Sequence, residues 1–142
     1  MIVGVAGGLL LTVACGHSLP LASDQQQIRD DFKAFVEATV NGDGNTACDL
    51  LTNQARRAVE SNAKGLPCPQ VVASAQSQRS NQRKAQLLNS GLRDNQVRGD
   101  DATATFLLSS GSSTSATPAK FRRERGTWKL AAVDSPSAGD GF

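Results

Sequence analysis

The chain has no Tyr, a single His and three Cys, and aromatic residues make up only 4% of it. Without Tyr, and with one imidazole, few groups remain that can transfer protons near neutral pH. A lone His and the lack of any CxxC pair argue against a zinc site. The formal net charge is +2, from 15 Lys and Arg against 13 Asp and Glu. That excess is too small to mark a nucleic-acid binder, and aromatic platforms for stacking bases are scarce. No cofactor is implied. At 142 residues the chain has room for one ordinary core. Its composition is neither collagenous nor that of a disordered chain.

What is present begins with an uncharged run, MIVGVAGGLLLTVA, over residues 1–14. As a helix it would reach about 21 Å, short of the roughly 30 Å of a bilayer's hydrocarbon core. It suits the apolar stretch of a secretory signal. Thr12-Val13-Ala14-Cys15-Gly16 resembles a bacterial lipobox. In that resemblance residues 1–14 are removed and Cys15 carries the lipid, which anchors a protein without a membrane span. The expected location is the outer face of a bacterial cell membrane, with plain secretion as the alternative. With Cys15 assigned, Cys48 and Cys68 remain as an even pair, and in an exported domain they point to a disulfide. Closing a loop of that length stabilises by about 3 kcal/mol in the chain-entropy account.

Residues 15–23 read as a tether that contains the only His, His17, and residues 135–142 as a flexible tail. Between them, residues 24–134 are expected to fold. Ile28, Phe32, Phe35, Val36 and Val40 trace one helical face beginning near Asp24, and Asn41-Gly42-Asp43-Gly44 stops it. A short helix carrying Ala47, Cys48, Leu50 and Leu51 follows. Thr52 is placed to cap a further helix over 53–61, and Pro69 to open another after Cys68. The period then changes. Ala102, Ala104, Phe106 and Leu108 alternate with Thr103, Thr105 and Leu107, as in a strand. Strands are also expected near 93–98, at 116–125 and at 127–133, with a tight turn at Arg125-Gly126. Helices followed by a meander make an α+β domain with N-terminal helices packed on a curved antiparallel sheet.

This order resembles the NTF2-like (ketosteroid-isomerase-like) superfamily, and within it small exported actinobacterial proteins. The residues that carry the resemblance are the opening helix, Gly42-Asp43, Ala47-Cys48-Asp49-Leu50-Leu51-Thr52, Cys68, and Gly126-Thr127-Trp128-Lys129-Leu130. The resemblance implies a cone of curved sheet around a long helix, often with an apolar cavity. Phe32, Phe35, Phe106 and Trp128 are the candidate lining of such a cavity, though they read first as the core.

Enzymes of the isomerase and cyclase type within that resemblance use a carboxylate or His base facing an enolate-holding donor. Asp30 and Asp31 read instead as a solvated helix start, and Asp94, Asp100 and Asp101 as turn residues. The run Asn41–Asn45 has a calcium loop's first oxygens but has Thr46 and Thr52 where Gly and Glu belong. Arg98-Gly99-Asp100 is turn chemistry rather than an adhesion signal. Lys120 and Arg122 share one strand face, and Phe121, Arg123 and Arg125 the other. Such a basic hairpin reads as an edge that resists aggregation, or as a contact for anionic headgroups.

The sequence thus predicts a non-enzymatic, lipid-anchored domain that binds a small apolar ligand or an envelope protein. An enzyme using the same cavity and a structural module that homodimerises are the alternatives.

Overall fold

The first helix is set by its apolar stripe. In the computed structural model, which describes residues 21–134 with side chains from Asp24, α1 spans Leu21–Asn41. Ile28, Phe32, Val36 and Val40 are buried along it, and Phe35 packs at their margin. The expected signal segment, Cys15, His17 and the 135–142 tail lie outside the described residues. The helix starts three residues before the expected Asp24, so the last residues of the expected tether are helical. Gly42, at φ +76°, ends it. The Asp43 N–H reaches back to the Ala38 carbonyl at 2.9 Å, the closing bond of a Schellman turn.

Four shorter helices follow, and side-chain caps start three of them. Asp43 accepts from the Thr46 N–H to open α2 (Gly44–Asp49). Thr52 accepts from Ala55 to open α3 (Asn53–Asn62). Pro69 lies in the first turn of α4 (Cys68–Gln78), where its missing N–H leaves no bond unmade. Ser80 accepts from Arg83 to open α5 (Asn81–Leu88), a helix that the periodicity does not reveal because Leu87 is its one buried residue.

Four strands then run as an antiparallel meander in the order β1 (Gly91–Arg98), β2 (Asp101–Ser110), β3 (Ser113–Glu124), β4 (Thr127–Val133). Strict alternation puts Ala102, Ala104 and Phe106, then Thr117, Ala119 and Phe121, then Trp128 and Leu130 on the buried face. Phe32 meets Phe106 and Phe121 edge-on, with ring centres 5.4 and 6.3 Å away. This joins α1 to the middle of the sheet.

The sheet is open, and each edge is managed differently. Beyond β4, Leu51 forms a parallel bridge with Leu130, through Thr52 N–H to Leu130 O at 2.9 Å and Leu130 N–H to Leu50 O at 2.8 Å. The outer edge of β1 is broken by a register shift between Arg93 and Gln96, with Asp94 at φ +54°. There the Gln25 amide donates to the Asn95 carbonyl and the Asn95 amide to the Gln25 carbonyl. A bulge of this kind discourages edge-to-edge pairing. The α+β reading therefore holds, as five helices on a four-stranded open sheet.

Candidate functional site

Cys48 on α2 and Cys68 at the head of α4 form a disulfide with Cα atoms 6.1 Å apart and a sequence separation of 20. Both are essentially inaccessible. The two helices approach so closely beside it that a Cβ on Gly44 would lie 2.5 Å from Pro69 Cα. The Cys68 N–H is held by Glu60 Oε1 at 3.1 Å, which links α3 to the same junction.

At the other end of α1, Asp24 fastens the helix to the sheet. Arg123 Nη2 donates to Asp24 Oδ2 at 2.7 Å, and Trp128 Nε1 donates to Oδ1 at 3.4 Å. The Arg123 guanidinium lies over the Trp128 ring at 4.7 Å. Asp100 stands 3.9 Å from Arg123 Nε, too far for a hydrogen bond. The cluster accounts for Trp128, whose indole is fully buried here.

Phe32, Phe35 and Phe106 line an interior cavity together with Val36, Leu87 and Val133. Trp128 does not reach it. The cavity holds about 20 Å³, the space of one water. Ligand pockets are typically about 300–1,000 Å³. Thr39, which also borders it, already donates its hydroxyl to the Phe35 carbonyl at 2.7 Å.

A larger concavity lies on the surface where α1 passes α5 and β1. It is a groove of about 330 Å³, with Phe32 and Val36 at its base and Leu88, Ser90, Gly91 and Leu92 along one side. Arg29, Lys33 and Glu37, spaced one helical turn apart, form the opposite wall. Lys33 and Glu37 face each other at 3.8 Å. Leu88 is 53% exposed, one of two large apolar side chains in the described residues left this open to water. The readable signals for this groove were the Arg29/Lys33/Glu37 stripe and the pair Leu87-Leu88, of which a short helix can bury only one.

The carboxylates considered for chemistry are dispersed. Asp30 and Asp31 lie in the middle of α1, so the expected placement at a helix start is corrected. Burial, and then the neighbouring Asp30 charge, push the Asp31 carboxyl above its usual range. Its Oδ2 has no hydrogen-bond partner among the described residues. Neither residue lines the cavity or the groove. Asp94 sits in the β1 bulge, and Gly99-Asp100 makes the turn closed by Arg98 and Asp101. Asp43 accepts the Thr46 hydroxyl at 2.6 Å and the Thr46 N–H at 3.1 Å, which holds its carboxyl below the usual range. Among the described residues no three His, Cys, Asp or Glu converge on a point that could hold a metal. No helix there is long and apolar enough to cross a membrane.

No protein-family model matches the chain, and no curated protein does. A SEC-C motif-containing protein from Rhodopseudomonas palustris, known from a solution structure, is 14% identical, with 71% of this chain and 72% of that one covered at a TM-score of 0.48. The expected NTF2-like membership is therefore corrected: neither a family model nor a curated protein supports it. The physical reason lies in the residues that suggested it. Gly42 ends a helix, Asp43 and Thr52 cap helices, Gly126 completes a tight turn at φ +81° and Trp128 fills the core. Each answers a local requirement that any capped α+β meander shares, so their order does not identify a family.

Proposed function

We propose that the chain is a non-enzymatic binding domain of a bacterial envelope, anchored through lipid on Cys15, whose α1–α5–β1 groove receives a segment of another envelope protein. The observation that carries the reading is the groove of about 330 Å³ with an apolar floor, a charged wall and the exposed Leu88 at its rim. An open, half-polar concavity suits a protein segment better than a free apolar molecule, which needs most of its surface enclosed. The interior cavity, at about 20 Å³, is too small for that alternative. The Cys48–Cys68 disulfide fits an oxidising compartment and so supports export. Isomerase- or cyclase-type catalysis has no carboxylate at the interior cavity to carry it.

Two experiments test the two halves. Cys15→Ser should move the protein from membranes to the medium, and full membrane retention would sink the anchor. A photo-crosslinking amino acid in place of Leu88 should give one discrete protein adduct in cells, while the same group in place of Arg57 on α3 should not. Identical patterns from both positions would count against the groove, and an adduct of lipid mass at Leu88 would favour a small ligand instead.

A further inference from the structure

The sheet turns one face to the helices and the other to water. On the outer face, cross-strand register sets Arg98 beside Asp101, Asp101 beside Arg122 and Arg122 beside Lys129, with Lys120 two residues along β3. Arg125 projects from the β3–β4 turn at the same end. The carboxylates near this end already have partners. Asp101 pairs with Arg122 at 3.2 Å, Asp134 with Lys120 at 3.5 Å and Asp24 with Arg123 at 2.7 Å. Asp100 stands 3.9 Å from Arg123, and Glu124 accepts from the Asn53 N–H at 3.4 Å. Arg98, Arg125 and Lys129 have no carboxylate within 4.0 Å among the described residues. Arg122 and Lys129 stand directly opposite each other, a like-charge cross-strand pair in which Asp101 offsets Arg122 and Lys129 has no carboxylate of its own among the described residues.

The described chain begins at the same end. The Asp24–Arg123 contact places the start of α1 beside the two hairpin turns that carry these cations. Five residues lie between Cys15 and Leu21, a reach of at most about 20 Å when extended. We propose that this cationic end of the outer sheet face lies against an anionic phospholipid surface, so that lipid and basic groups act together and the α1–α5–β1 groove is directed away from the membrane. On a lipid-anchored chain such a basic patch adds to the anchor and sets the orientation of the domain on the membrane. The proposal rests on the anchored reading for its biological setting, and its test does not use the lipid.

The experiment uses the full chain carrying Cys15→Ser, titrated with vesicles of phosphatidylcholine alone or mixed with phosphatidylglycerol. Any binding by the apolar residues 1–14 is common to both vesicle types, so the ratio of the two partition constants isolates the charged face. The ratio should exceed one and fall as salt is added. Arg98→Gln, Arg125→Gln and Lys129→Gln together should reduce it by roughly 100-fold, at about fivefold per cation. Arg57→Gln, Lys64→Gln and Arg83→Gln together remove the same charge from the helical side and should leave the ratio unchanged. A ratio of one in the parent chain, or equal losses from the two triple variants, would overturn the proposal. Such a result would leave the Cys15 anchor standing, because release of the Cys15→Ser protein from cells is read separately.

Discussion

Gly44→Ala isolates one close contact from every other effect of the substitution. In the first turn of a helix, replacing Gly with Ala normally stabilises by about 0.4–1 kcal/mol, because Ala has less unfolded-state freedom to lose. Gly44 does not have a positive φ, so its backbone accepts Ala without strain. The added Cβ, however, would lie 2.5 Å from Pro69 Cα and 2.7 Å from its carbonyl carbon, and nearer still to the oxygen. Ordinary contact begins near 3.4 Å, so α2 and α4 would have to separate by close to an ångström. The obstacle is backbone, which cannot rotate away as a side chain can. The helices are also fastened by Cys48–Cys68, and the Glu60 bond to Cys68 N–H ties α4 to α3 as well. Overpacking costs about 1–3 kcal/mol, and the rigidity of this junction places the variant at the upper end. At about 3–5 °C per kcal/mol for a domain of this size, Tm should fall by roughly 10 °C under non-reducing conditions. With the disulfide reduced the helices part more easily, and the loss should shrink. A Tm equal to or above the parent's in the oxidised protein would refute the described packing of α2 on α4.

Three further outcomes follow from the same structure. Cys48→Ser with Cys68→Ser should cost about 3–5 kcal/mol, and added reductant should lower the Tm of the parent but not of this variant; a parent indifferent to reductant would contradict the disulfide. Lys64 stands at φ +57°, a conformation that Asn tolerates better than other side chains, so Lys64→Asn should stabilise by about 0.5–1 kcal/mol in denaturant unfolding. Asp31→Asn should raise Tm at neutral pH, because burial lifts the Asp31 carboxyl in the fold and its ionised form therefore opposes folding. The gain should narrow as pH falls through the folded value to the ordinary value of 3.8 and vanish below it, where both side chains are neutral. A pH-independent difference would assign the effect to packing.

The parts of the fold that were legible in the sequence are those with a long period or an obligatory local residue. Five apolar positions define α1, the Ala102–Phe106 alternation defines β2, and Thr52 announces α3 by its cap. The disulfide followed from counting cysteines. Helix α5 was missed because eight residues with one buried Leu carry too little periodicity. The start of α1 was misplaced because Asp24, the acidic residue that marks a helix start in the sequence, is used in tertiary contact with Arg123. That contact also explains why Trp128 left the expected lining: its indole N–H and ring are both engaged by Asp24 and Arg123, across about a hundred residues of sequence. The groove depends on how α5 and β1 flank α1, a tertiary relation that no single segment encodes.

The central claim, that the α1–α5–β1 groove is the binding face, is tested most directly by amide hydrogen exchange of the full chain, free and covalently joined to the protein captured at Leu88. Slowed exchange is expected at residues 29–37 and 88–92 alone, with strands β3 and β4 unchanged. Protection that instead falls on β3 and β4, with residues 88–92 exchanging as in the free protein, would contradict it.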